Sequence, residues 1–480
     1  MSEMRSLLER TAAHAATFVE GLDAAPVAAV AELPALRAAL GGPLPETERE
    51  AAQVIDELVR DVAGGLLGSA GGRFFGWVIG GAQPAALAAD WLTATWDQNA
   101  ALYACSPAEA VIEEVAGVWL KELLGLPDEA SFAFTTGAQM AHVTALAAAR
   151  SRLLADRGWD VERDGLAGAP AVRLLSGGRQ HASIDRAVRL LGLGTNALHS
   201  VGSDADGRVD LAGLERALAA DPDAPSIVCL QAGEINTGAF DPFGAACDVA
   251  REHGAWVHVD GAFGLWAAVS ERFASLTRGI ERADSWTTDC HKWLNVPFDS
   301  GVAFVRDAGA HRAAMTTQAS YLVASTDLGA AARDLDGAAR DQIDWNPEWS
   351  RRGRGVPIYA VIRALGRQGI VAMIERCCEH AARLTREIAA LSGAQLLAAP
   401  KINQGLVRFL DEDGDHDQRT DEVIARIRAG GDAWFGGTTW NGMRAMRISV
   451  VNWRTNDRDV DRAVAAVRDA VAHPHSLTDG

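Results

Sequence analysis

Short β-rich runs alternate with helical stretches from about residue 69 to 310. The runs are Ser131–Thr135, Val172–Ser176, Ser226–Leu230, Trp256–Asp260 and Val302–Arg306, and alanine-rich segments such as Met140–Leu154 lie between several of them. Near-continuous apolar runs separated by amphipathic helices predict an α/β fold with a mostly parallel sheet covered on both faces. Ligands of such sheets sit at the carboxyl ends of the strands, so the residues that follow each run matter most. Before this region, residues 1–68 read as two or three short helices broken by Pro26, Pro34, Pro43 and Pro45, with little to bury alone. After it, 311–350 is rich in Gly, Asp and Arg with weak periodicity, which reads as a mobile loop over a site or as an irregular surface connection. Residues 351–480 read as an α+β lobe, with helices over 356–368, 370–391 and 457–473 and strands near 405–410, 433–439 and 443–450. The predicted division is therefore 1–68, 69–350 and 351–480.

Composition narrows the function. Among 480 residues, 48 % are hydrophobic and 22 % charged, enough to bury a large core. A net charge of −18 repels phosphate backbones and argues against nucleic-acid binding. Charge or glycine interrupts every apolar stretch before membrane-spanning length, and the first helix has no signal-peptide apolar core. The six cysteines form no CxxC pair and read as reduced thiols of a cytoplasmic protein.

Four segments carry candidate chemistry. In Asp284–Gly301, DSWTTDCHKWLNVPFDSG, Lys292 follows a β-like run between His291 and Trp293. A lysine in a loop is usually a solvated charge, but desolvation at a sheet edge favours the neutral amine, which attacks aldehyde carbons. In WVHVDGAFG, Asp260 ends a buried strand. It is either a turn or capping residue or a carboxylate paired with a pyridinium nitrogen. In FTTGAQMA, Thr136 to Gln139 lead into a long helix whose N-terminus suits a phosphate. In RQHASIDRA, His181 lies between a strand and a helix, placed either structurally or to stack on a planar ligand.

Together these segments resemble the pyridoxal-dependent amino-acid decarboxylases that act on aromatic amino acids, histidine, glutamate and cysteine sulfinate. The resemblance runs from about Phe74 to Asp461. HVDGAFG and DCHKWLNVPFDSG are its most specific parts, supported by RFFGWVIGG, the Asn99–Tyr103–Pro107 spacing, NTGAFDP and MRISVVN. It implies fold type I of the pyridoxal 5'-phosphate (PLP) enzymes and a homodimer with interfacial sites. Lys292 would hold PLP as a Schiff base and Asp260 would pair with the ring nitrogen. His181 would stack on the ring. Thr136, Gly137, Ala138, Gln139 and His291 would hold the phosphate, and Arg447 the substrate carboxylate, while Phe75 and Tyr103 would shape the pocket, with Trp77 and Leu102. The implied reaction turns an L-amino acid into an amine and CO2 through an external aldimine.

Three departures qualify that expectation. The phosphate turn reads Gly137-Ala138-Gln139, and His142 stands where the family has asparagine. Glu234 and Ile235 replace a threonine pair, so the Glu234 carboxylate faces either the ring or solvent. Tyr103, Tyr321 and Tyr359 are the only tyrosines, and none falls near Gln342, where amine-forming members are expected to carry their proton donor. His181 or a water is then the alternative donor. A decarboxylating oxidative deaminase that releases an aldehyde is the second reading, and a PLP-binding protein without efficient turnover the third.

Overall fold

A computed structural model describes residues 3–316 and 339–472. Most of the 311–350 stretch read as a mobile loop, residues 317–338, lies outside the described residues. The chain opens with α1 (Glu3–Gly21), α2 (Leu33–Leu40) and α3 (Ala51–Val62), followed by α4 (Pro84–Trp96) and α5 (Pro107–Leu124). None of α1, α2 and α3 buries a residue. The strands of the main sheet are β1 (Ser131–Thr135), β2 (Arg173–Ser176), β3 (Leu198–Ser200), β4 (Ser226–Gln231), β5 (Trp256–Asp260), β6 (Ser285–Asp289) and β7 (Gly301–Val305). Between β1 and β2 run α6 (Ala138–Ala155) and the single turn α7 (Val161–Asp164), and α8 (Ala182–Leu190) follows β2.

The chain divides into two compact units, one from Ala82 to Arg376 and one that joins Met1–Gly81 to Cys377–Gly480. The first holds the seven-stranded sheet, in the order β1-β7-β6-β5-β4-β2-β3. Strands β3, β2, β4, β5 and β6 run parallel, and β7 runs antiparallel to both β6 and β1. The fold is thus α/β with a mostly parallel large sheet, as the alternation predicts. Strands β1, β5, β6 and β7 are buried along their whole length. Leu146, Leu154, Leu174, Ile184, Val188 and Ile227 pack one core between α6, α8 and the sheet. An ion pair of Glu113 and Arg351, both excluded from water, ties α5 to the segment after residue 339.

The second unit carries a four-stranded antiparallel sheet of β8 (Ala394–Ala398), β9 (Gln404–Phe409), β10 (Gly436–Trp440) and β11 (Met443–Ser449), in the order β10-β11-β9-β8. Within this unit Phe74 stacks on Trp434 at 4.8 Å and Phe75 on Phe435 at 5.1 Å, so residues far apart in the chain share one core. The two helices read over 356–368 and 370–391 form the helical stretch Gly355–Ala389, broken in two at Gly366 with φ 60° and ψ 179°. Only glycine tolerates that conformation at low cost.

Candidate active site

Strand alternation builds the site. Residues i and i+2 of a strand share a face, so Trp256, His258 and Asp260 of β5 lie on one face. Register pairs His258 with Ser285 and Asp260 with Thr287, and Asp289 continues the β6 row. The two carboxylates therefore end adjacent strands at their carboxyl ends. A cavity of about 330 Å³ lies there, lined by Lys292, Asp260, His181, Arg179, Glu234 and Phe263 among others. Lys292, Asp260 and His181 are thus brought together.

Asp289 connects the lysine to the helix. Its Oδ2 lies 2.9 Å from Lys292 Nζ, and its Oδ1 accepts the Ala138 N–H at 2.6 Å. Burial opposes its charge, yet Lys292, His291 and the Ala138 N–H hold its carboxyl below the usual range. The sequence reading passed over this residue, although a carboxylate three places before Lys292 in DCHK was a legible signal. At the start of α6, a Cβ on Gly137 would meet His291 Cε1 at 3.2 Å and Asp289 Oδ1 at 3.3 Å. His291 Nδ1 accepts the Ser300 N–H, its Nε2 lies 3.6 Å from Asp289, and burial lowers its pKa. Gln139 donates to the Ser183 carbonyl at 3.2 Å, and Thr136 is half-buried.

His181 caps α8. Its Nδ1 accepts the Ser183 N–H at 3.2 Å and lies 2.8 Å from the Ser183 hydroxyl. A nitrogen that accepts a backbone N–H carries no proton, so the neutral ring bears its proton on Nε2. Glu234 is buried. Its Oε2 accepts the N–H groups of Asn236 and Thr237, and its Oε1 the Asn236 side-chain amide. It lines the cavity while serving as the brace of its own turn.

Beneath Asp260 lies a buried polar row. Ala262 N–H donates to Asp260 Oδ1 at 3.0 Å, and His142 Nε2 stands 3.6 Å from Oδ2. His142 Nδ1 lies 2.9 Å from His258 Nε2, His258 Nδ1 lies 2.9 Å from Ser285 Oγ, and Trp256 Nε1 donates to Ser285 Oγ. Burial lowers the pKa of His142, and burial with His142 beside it lowers that of His258 to about 3, so both rings are neutral at pH 7. Burial also works against the Asp260 charge. His142, the Ala262 N–H and Lys292 outweigh it, and the carboxyl stays below its ordinary range.

Arg447 and Phe75 belong to the discontinuous unit, where Arg447 donates to the Trp77 carbonyl and Gln404, and Phe75 is fully buried. Tyr103 is half-buried, and its N–H donates to Asp341.

The residues around the cavity fit PLP on the structure's own terms. A lysine and a charged aspartate at a strand end line one hollow, and the start of α6, where a Cβ on Gly137 would crowd His291 and Asp289, is joined to that lysine through Asp289. Known proteins agree. Residues 35–410 match the model of the pyridoxal-dependent decarboxylase conserved domain. The chain is 30 % identical to the L-2,4-diaminobutyrate decarboxylase of Rhizobium meliloti (strain 1021), over 80 % of this chain and 74 % of that one. It is 27 % identical to the aromatic-L-amino-acid decarboxylase of Bacillus atrophaeus, over 78 % and 74 %. In fold it is similar to the Oryza sativa TDC structure with PLP and tryptamine, with a TM-score of 0.90 and 24 % identity over 98 % of this chain and 97 % of that one. The chain belongs to the pyridoxal-dependent decarboxylase family and is a PLP-dependent amino-acid decarboxylase.

Proposed function

We propose that the chain converts an L-amino acid to its amine and CO2, with Lys292, Asp260 and His181 as the catalytic groups. The observation that carries this reading is the convergence of these three side chains on one cavity at the strand ends. When bound, PLP supplies an electron sink for the pair left on Cα as CO2 departs. Lys292 would hold the cofactor through its amine, and Asp289, 2.9 Å from that amine, orients it. The Asp260 carboxylate favours a protonated ring nitrogen. Thr136, Gly137, Ala138, Gln139 and His291 form the phosphate end. His181 lines the cavity with its proton on Nε2 and would be the group that returns a proton to the substrate Cα. Tyr103 shapes the pocket.

A homodimer is supported by the N-terminal helices. Their unit exposes Leu8, Phe18, Leu44 and Leu58, and an apolar cleft of about 560 Å³ runs between α1, residues 25–30 and the end of α3. Such a surface is larger than lone exposed side chains account for and fits a second copy. A cytoplasmic location is supported by the reduced thiols of Cys105, Cys229, Cys247 and Cys290. No helix among the described residues is long and apolar enough to cross a membrane.

The amine product is favoured over an aldehyde by Gln342, which is 1 % exposed, so that its position is not open to solvent. The test is incubation of the PLP-loaded protein with a panel of L-amino acids while CO2 and the organic product are followed by mass. Stoichiometric CO2 and amine are expected. Aldehyde with peroxide or ammonia would move the enzyme to the oxidative branch, and no CO2 from any substrate would overturn the reading. Tyr321 lies outside the described residues. A Tyr321→Phe enzyme that exchanged amine for aldehyde would assign the proton to that phenol instead of His181.

A further inference from the structure

His142 has no place in the roles assigned so far. It is fully buried, and its Nε2 makes no hydrogen bond, yet that nitrogen points at Asp260 Oδ2 from 3.6 Å. We propose that His142 is a positioning residue for the cofactor, donating from Nε2 to Asp260, with its proton fixed there by the chain Trp256–Ser285–His258. The proposal rests on Asp260 as the partner of the ring nitrogen.

The direction of the chain follows from counting protons. Two neutral rings share the contact between His142 Nδ1 and His258 Nε2, so one nitrogen carries the hydrogen and the other accepts. Suppose His142 donated. Its bare Nε2 lone pair would then face a carboxylate. His258 would also donate from Nδ1 to Ser285 Oγ, which already accepts the Trp256 N–H. Suppose instead that His258 donates. Trp256 N–H then serves Ser285, the Ser285 hydroxyl serves His258 Nδ1, His258 Nε2–H serves His142 Nδ1, and His142 Nε2–H is left for Asp260. Every donor meets an acceptor, and no lone pairs face each other.

The geometry also explains why the carboxylate needs this donor. Oδ1 has the Ala262 N–H, while Oδ2 has none closer than His142. The 3.6 Å gap exceeds a hydrogen bond by about half an ångström, and such contacts close when a ligand loads the site. His142 thus holds the carboxylate at a fixed angle to the ring it serves. Deprived of that donor, Asp260 keeps only the Ala262 N–H on Oδ1, and its Oδ2 is held less firmly towards the cofactor.

The decisive measurement is nitrogen-15 NMR of histidine-labelled protein at pH 7.5, with and without PLP. The His142 signal is identified by its loss in His142→Gln. His142 and His258 are both expected neutral with the proton on Nε2. A proton on His142 Nδ1, or a doubly protonated ring, overturns the proposal in the unmodified protein. Binding gives the second readout. His142→Leu is expected to weaken PLP binding about tenfold or more, the worth of one hydrogen bond to a charged group, while His142→Gln, which keeps an N–H donor, recovers most of it. Unchanged binding in His142→Leu beside weakened binding in Asp260→Asn would overturn the proposal and leave the site reading intact. Unchanged binding in both would overturn the site reading itself.

Discussion

Lys292 and Asp289 are held 2.9 Å apart in a setting where Asp289 is almost wholly shielded from water. The amine is thereby aimed before any cofactor arrives, which is orientation secured in advance. Lys292→Ala is expected to lower decarboxylation by about 10³-fold or more, and borohydride should no longer fix PLP to the chain. Retention of reducible, covalently attached cofactor would refute the assignment. Buried histidines act on stability at the same scale. His142, His258 and His311 all have lowered pKa values, chiefly from burial, and His258 and His311 lie at about 3. Below about pH 6.5 the unfolded chain binds protons that the folded rings refuse. For His258 and His311 the stabilisation is therefore complete above pH 6.5 and is lost as pH falls towards 3, by about 1.4 kcal/mol per pH unit for each of these two rings. Urea unfolding at pH 7.5, 6 and 5 should show this decline. His311→Gln should remove about one ring's share of the slope between pH 6 and 5, and an unchanged slope would count against the account.

At the scale of elements, the site depends on a close backbone approach. A Cβ on Gly301, the first residue of β7, would stand 2.4 Å from Gly137 Cα and 3.0 Å from Ala138 N. Gly301→Ala must push the start of α6 away, and PLP affinity is expected to fall about tenfold or more for a displaced phosphate end. Equilibrium dialysis measures it, and unchanged affinity would show that the α6 terminus does not contact the cofactor. Gly366 makes a separate prediction. Space surrounds it, but its φ of 60° with extended ψ suits glycine alone. Gly366→Ala should cost about 1–3 kcal/mol, read from the denaturation midpoint, with kcat nearly unchanged. The same elements show what the sequence could convey. Strands β1, β4 and β5 were legible because strands buried on both faces read as unbroken apolar runs. Strand β6, SWTTD, is as deeply buried but polar, because the Ser285 hydroxyl finds Trp256 and His258 and the Thr287 hydroxyl finds His142. The reversal at β7 was encoded in the Cys290–Ser300 connection, too short for a parallel crossover. Lys292, Asp260 and His181 could be read because each sits in a local motif. The His142–His258 contact spans 116 positions and arises only when α6 settles on the sheet.

At the scale of the molecule, the unit from Ala82 to Arg376 is inserted within the other, whose two pieces come from opposite ends of the chain. Phe74 and Phe75 are made early, and Trp434 and Phe435, on which they stack, come 360 positions later. At roughly 5–20 residues per second, the ribosome takes about 20–70 s to supply those partners. During that interval the inserted unit has all its strands and can close, while the N-terminal piece waits with its aromatic face uncovered. The order of synthesis thus makes the nascent N-terminus a natural client for a chaperone. A circularly permuted chain that begins at residue 377 and runs through Gly480 into Met1 would deliver both halves of that core without the delay.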